Sequence, residues 1–110
     1  MEAWEREVRR GILSVLVLSI LARGPKTVDE IRNFLSSHDI DMPIGTIYPL
    51  LKRLERSSLV KVIGSVKSGK GKPRNLYEIT PIGKETLERL KEKLTKILEK
   101  TLELLWESHA

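Results

Sequence analysis

Between residues 43 and 80 eight side chains carry positive charge: Lys52, Arg53, Arg56, Lys61, Lys67, Lys70, Lys72 and Arg74. Only Glu55 and Glu78 oppose them. The chemistry open to such a set is non-covalent, because guanidinium and ammonium groups pair with the phosphates of a polyanion and release its counterions. The flanks have no such excess. Residues 1–42 hold six basic and seven acidic side chains and residues 81–110 hold six of each, so the formal charge of +5 comes from the middle of the chain. A solvated helix face usually mixes signs, as both flanks do, and a segment this one-sided calls for an anionic partner.

Reaction chemistry is harder to find. The chain has no cysteine, which excludes disulfides, thiolate metal sites and a cysteine nucleophile and suits a reducing cytoplasm. Its two histidines, His38 and His109, lie far apart, and neither has a ligand partner at helical spacing. His38, Asp39 and Asp41 read as a polar turn, not a metal site. No glycine-rich phosphate loop and no Gly-x-Ser-x-Gly elbow are present. Neither an enzyme nor a bound cofactor or metal is expected. The longest apolar stretch, residues 12–22, falls well short of the roughly 20 residues of a membrane span. One compact cytoplasmic domain of 110 residues is the reading.

The elements that must position the basic residues can be laid out in order. Residues 5–22 read as a helix that is apolar nearly all round and so enclosed by its neighbours. Gly24-Pro25 stops it, and Thr27 with Glu30 forms a capping box that starts a second helix burying Val28, Ile31, Phe34 and Leu35. Pro43 suits the first position of a third helix, which runs to about residue 57 with Ile47, Leu50, Leu51 and Leu54 inward. Residues 60–65 and 75–80 alternate, are rich in β-formers and flank Gly69, Gly71 and Pro73, which reads as a hairpin. Thr80 then caps a last helix that opens on Pro81 and continues to about residue 108.

Together these predict a mainly α (α+β) fold: a winged helix-turn-helix with a two-stranded wing and a long C-terminal dimerisation helix. The winged helix takes residues 1–80 and the dimerisation helix residues 81–110. A surface third helix and a wing that are both basic are how such a fold reads a duplex, with the helix in the major groove. Double-stranded DNA is therefore the expected partner, with Lys52 and Arg53 on the helix and Lys70 in the wing loop among the contacts. The same basic face would also suit a protein-interaction module that meets an acidic protein surface.

Along the last helix Leu90, Leu94, Ile97, Thr101 and Leu104 are spaced three and four apart, which is a heptad seam. Leu98, Leu102 and Leu105 broaden it. A monomer has little to cover such a stripe, so Leu90, Leu94, Ile97, Leu98, Thr101, Leu104 and Leu105 are expected to pair with a second copy, helped by the first helix. Trp106 ends this face and Trp4 begins the first helix. Both suit interface anchors, and both are candidates for stacking on a planar aromatic ligand.

The run GTIYPLLKRLERSSLV (residues 45–60), followed by GKPRNLYEITPIGKETL (residues 71–87), resembles the PadR family of transcriptional regulators. That family carries Gly-Thr-Leu-Tyr-Pro in the third helix and an Arg-Pro-Arg…Tyr-x-x-Thr-x-x-Gly pattern in and after the wing. The resemblance implies a homodimeric winged-helix repressor on a palindromic operator. It places Thr46 and Tyr48 against phosphates and Lys72-Pro73-Arg74 on the wing, where Pro73 stiffens a glycine-rich loop and so holds Arg74 outward. It also implies a response to a small aromatic effector. The chain departs from the pattern at Thr27-Val28-Asp29, where members often carry His-Gly-Tyr, and at Ser58, where glycine is usual.

Overall fold

A computed structural model describes residues 2–67 and 71–107, apart from the side chains of residues 2 and 4–9. Its elements run α1 (Glu2–Leu21), α2 (Val28–Ser36), α3 (Ile44–Arg56), β1 (Val60–Val66), β2 (Arg74–Ile79) and α4 (Pro81–Glu107). These are the predicted elements, with ends shifted by at most a few residues.

Local chemistry explains most of the boundaries. The Thr27 hydroxyl accepts from the Glu30 amide at 3.2 Å while the Glu30 carboxylate accepts from the Thr27 amide at 2.9 Å, a closed capping box. Pro43 is the N-cap of α3, one position earlier than predicted, and supplies no side-chain cap. Asp39 (φ 60°) and Ser58 (φ 62°) turn the chain through the left-handed region at the exits of α2 and α3. Ser58 therefore holds the conformation that the usual glycine would adopt without strain.

α1, α2 and α3 pack around one core, with Val17, Leu18, Ile31, Leu35, Ile47 and Leu51 sealed at its centre. The prediction that α1 is enclosed holds only for its last turns. Leu13, Val15 and Leu16 are half-buried and Ile12 is exposed, because α4 crosses α1 and then runs on past the body. At about 1.5 Å per residue α4 is about 40 Å long, and it stretches the molecule to 58 × 28 × 25 Å.

β1 and β2 pair antiparallel from Val60↔Ile79 to Val66↔Arg74, with a bulge between Val62 and Gly64. The wing is not an isolated hairpin. Lys26 and Tyr77 exchange two backbone hydrogen bonds, of 3.0 and 2.9 Å, so the segment before α2 adds a short third pairing to β2.

The wing base, the exit of α3 and the start of α4 share one junction. Thr80 donates its amide to the Leu59 carbonyl (3.0 Å) and its hydroxyl to the Ser58 carbonyl (2.7 Å), and the hydroxyl accepts from the Gly83 amide (2.9 Å). A Cβ at Gly83 would run into the Leu59 carbonyl oxygen and the Ile79 side chain. Gly83→Ala must push α4 off that carbonyl and is expected to lower stability by about 2 kcal/mol or more, in the range of overpacking penalties. Urea unfolding of mutant and wild type measures it.

Candidate nucleic-acid interface

The apolar period of α3 separates its two sides. Ile47, Leu50, Leu51 and Leu54 are buried, which leaves Gly45, Tyr48, Pro49, Lys52 and Arg56 exposed and Thr46 half-buried at the margin. Tyr48 lies one turn before Lys52, whose ammonium sits 5.5 Å from the Tyr48 ring centroid. That cation–π contact orients both groups at the surface.

Arg53, half-buried, has a partner within the fold. Three residues beyond buried Leu50, it lies on the edge of the inner face and turns toward α1, where its Nη2 donates to the Ser14 hydroxyl at 3.4 Å. Burial lowers its pKa, and the neighbouring Arg10 and Arg56 charges add to the effect. The guanidinium stays charged at any physiological pH. Periodicity alone could have marked this position as a flank, since residues 50, 53 and 54 share one side.

Arg74 is exposed, as expected of an outward residue, and it also has a partner within the fold. It occupies the last rung of the wing, and its Nε lies 3.1 Å from the Asp29 carboxylate in the first turn of α2. Lys67 and Lys72, which flank the wing tip, are exposed. Lys70 lies outside the described residues.

Tyr77 joins the wing to α3. Its ring is buried beneath β2, and its hydroxyl makes no hydrogen bond of standard geometry. Burial pushes the phenol pKa up, the Asn75 side chain beside it works the other way, and the nearby Tyr48 and Glu55 add to the rise. Tyr77 is the only aromatic residue of the two strands, and the sequence marks it as the Tyr of the Tyr-x-x-Thr-x-x-Gly pattern but not as a buried one.

The predicted dimerisation residues divide by depth along α4. Leu87 is buried against the body and Leu90 is half-buried, but every residue from Lys91 to Glu107 is exposed. Ile97 (63%), Leu104 (66%) and Trp106 (75%) show most of their surface, with Leu94, Leu98 and Leu105 also exposed. The Thr101 hydroxyl donates to the Ile97 carbonyl of its own helix (2.6 Å). Where α4 crosses α1, Val15, Ser19, Ala22, Leu87 and Leu94 line a groove of about 380 Å³. The side chain of Trp4 lies outside the described ones.

The turn at His38 is a helix exit. Its ring stacks on Phe34 (centroids 4.7 Å apart), and Nδ1 lies 3.0 Å from the Phe34 carbonyl, to which it must donate. Among the described residues no cluster of His, Asp or Glu could hold a metal ion, and no helix is long and apolar enough to cross a membrane.

Three core helices, a two-stranded wing and a protruding last helix define a winged-helix protein. The chain belongs to the PadR-like family of transcriptional regulators, whose family model matches residues 17–89. Members of this family are transcription regulators and not enzymes. A PadR-like transcription factor from Bacteroides fragilis is similar over 93% of this chain and 98% of its own, at 26% identity and a TM-score of 0.81. A PadR family regulator from Eggerthella lenta is 32% identical over 94% of this chain and 90% of its own, with a TM-score of 0.76. Bacillus subtilis PadR, solved in complex with operator DNA, shares the fold at 21% identity and a TM-score of 0.63, over 71% of this chain and 45% of its own. No curated protein sequence matches the chain significantly.

Removing the orphaned hydroxyl tests how tightly the wing and α3 are packed. Tyr77→Phe is expected to leave stability unchanged or raise it by up to about 1 kcal/mol, since it deletes a buried hydroxyl that has Asn75 and Tyr48 beside it but no hydrogen bond of standard geometry. The urea midpoint at constant slope measures it, and a loss of that size would mean that the hydroxyl is bonded in solution.

Proposed function

We propose that the protein is a homodimeric repressor that binds a palindromic DNA operator. α3 enters the major groove and the wing lies along the backbone. Thr46 and Tyr48 contact phosphates beside Lys52, and the wing adds Lys72 together with Lys70 of its loop. The observation that carries this reading is the division of charge. The segment that builds α3 and the wing holds eight basic residues against two acidic ones, while both flanks are close to neutral. Bacillus subtilis PadR, a protein of the same fold, was solved in complex with operator DNA, which supports DNA as the partner.

Dimerisation falls to α4. Ile97 and Leu104 on its seam, with Leu98 beside them, form an apolar stripe that the body leaves exposed, and such stripes mark protein contacts. Leu90, Leu94, Thr101 and Leu105 complete the paired face, and the winged helix of residues 1–80 is carried by that arm. The effector part of the reading rests on Trp106, whose exposed indole at the end of the arm offers a planar surface to an aromatic ligand. The protein works in the cytoplasm, where its DNA is.

Binding to a duplex of about 30 base pairs, titrated over a range of salt, separates DNA from an acidic protein partner, because only phosphate contacts give a steep linear fall in log K with log salt. Lys72→Ala should weaken binding to all sequences alike and lower that slope by about one. Tyr48→Phe keeps the ring and should cost about 1 kcal/mol of affinity, the value of one hydrogen bond. No salt slope in the wild type would favour the acidic protein partner.

Charge in the seam tests the assembly. Leu94→Glu should leave a folded monomer that has lost the gain from joining two half-sites about 34 Å apart. Sedimentation of the mutant and wild type at equal concentration decides it: a monomeric wild type, or a dimeric mutant, removes α4 from this role.

A further inference from the structure

The outer half of the wing has almost no core to hold it. On β1 only Val60 is buried, and on β2 burial ends at Tyr77 and Ile79, with Arg74 and Asn75 exposed. Arg74 lies three residues beyond Tyr77, about 10 Å along the strand. The bulge between Val62 and Gly64 falls within that stretch, where the ladder is locally disrupted. A hairpin extended in this way can pivot about its last buried rung.

Two ties oppose the pivot. Near the base, the reciprocal hydrogen bonds between Lys26 and Tyr77 fix β2 to the segment that leads into α2. Farther out, Arg74 on the final rung pairs with Asp29 at 3.1 Å. Asp29 stands on a rigid support, since α2 is closed at its start by the Thr27–Glu30 box and buries Val28, Ile31 and Leu35. Its carboxylate also lies in the first turn, where the helix dipole favours negative charge. Among the described residues this is the only ion pair that links the wing to the helical body.

We propose that Arg74 is a positioning residue. Its pairing with Asp29 fixes the angle of the wing relative to the helices and so aims Lys67 and Lys72 at the backbone while α3 is in the groove. The function of the tie rests on the DNA-binding reading above, but the tie itself is a property of the free protein. The Nε of Arg74 is spent on Asp29, and the charge that meets phosphate belongs to the lysines at the tip.

The test uses Asp29→Asn, Arg74→Gln, the double variant and the charge-retaining Asp29→Glu, each as the full chain. Backbone amide exchange in the free protein should rise about threefold to fivefold at Ser65, Val66 and Asn75 in both single variants, the size expected for a partly exposed pair. Val60 and Ile79 should not change, the double variant should be no worse than either single, and Asp29→Glu should keep the outer rungs protected. Affinity for a random-sequence duplex of about 30 base pairs should fall by a similar factor in both singles, with the wild-type salt slope retained.

Two results overturn the proposal. One is outer-rung exchange that stays at the wild-type rate. The other is tighter DNA binding by Asp29→Asn together with a salt slope lowered by about one in Arg74→Gln, which would make Arg74 a phosphate contact that Asp29 competes for. A wild type that does not bind duplex overturns the DNA reading instead, and the exchange rates still decide whether the wing is tied.

Discussion

At Thr80 one hydroxyl holds together the three parts on which function depends. It donates to the carbonyl of Ser58 at the exit of α3 and accepts from Gly83 at the start of α4, while the Thr80 amide closes the base of the wing on Leu59. Leu59 in turn donates its amide to the Leu54 carbonyl, on the inner face of α3. α3, the wing and the arm are thus referenced to a few adjoining peptide groups. Gly83 permits this because α4 lies directly on the Leu59 carbonyl, with no room for a side chain. A shift at the junction would re-aim all three elements at once.

The core explains which residues remain available for binding. α3 spends Ile47, Leu50, Leu51 and Leu54 on the interior, so a helix of this pitch can offer only the strip through Tyr48 and Lys52 to a partner. Arg53 and Arg74 differ from the lysines in being tied to the body. Each guanidinium has a partner within the fold, Ser14 for one and Asp29 for the other. Arginine suits such sites because its planar fork holds a fixed direction. Lys52, Lys67 and Lys72 are exposed, and on the proposed function theirs are the charges that would meet the phosphates.

Features that depend on residues close in sequence are legible in the residue pattern alone. The Thr27–Glu30 box, the Thr80-Pro81 helix start and the buried period of α3 are each set within one or two turns, and all three appear where that pattern places them. What the pattern does not reveal are partners far apart along the chain. Lys26 with Tyr77, Asp29 with Arg74 and Ser14 with Arg53 meet only after the helices have packed, and neither member of a pair signals the other. The exposure of Ile12 on α1 escapes a sequence reading for the same reason. Apolar composition says that a face wants cover but not which element supplies it.

Depth along α4 has a thermodynamic consequence. Up to Leu90 the helix is fastened by the body, through Gly83 and Leu87. From Lys91 to Glu107 every residue is exposed, and among the described residues the one ion pair there, Lys100 with Glu103, supplies about 0.2–0.5 kcal/mol. A helix without tertiary contacts is marginal in water. If α4 dimerises as proposed, its outer turns would draw their order from the partner that covers the stripe of Ile97, Leu98 and Leu104, so helix formation there and association would be one coupled event. Because the body closes its own core without this stripe, association can change while the winged helix stays folded. The distance between two recognition helices would then depend on how far out along α4 the ordered contact begins.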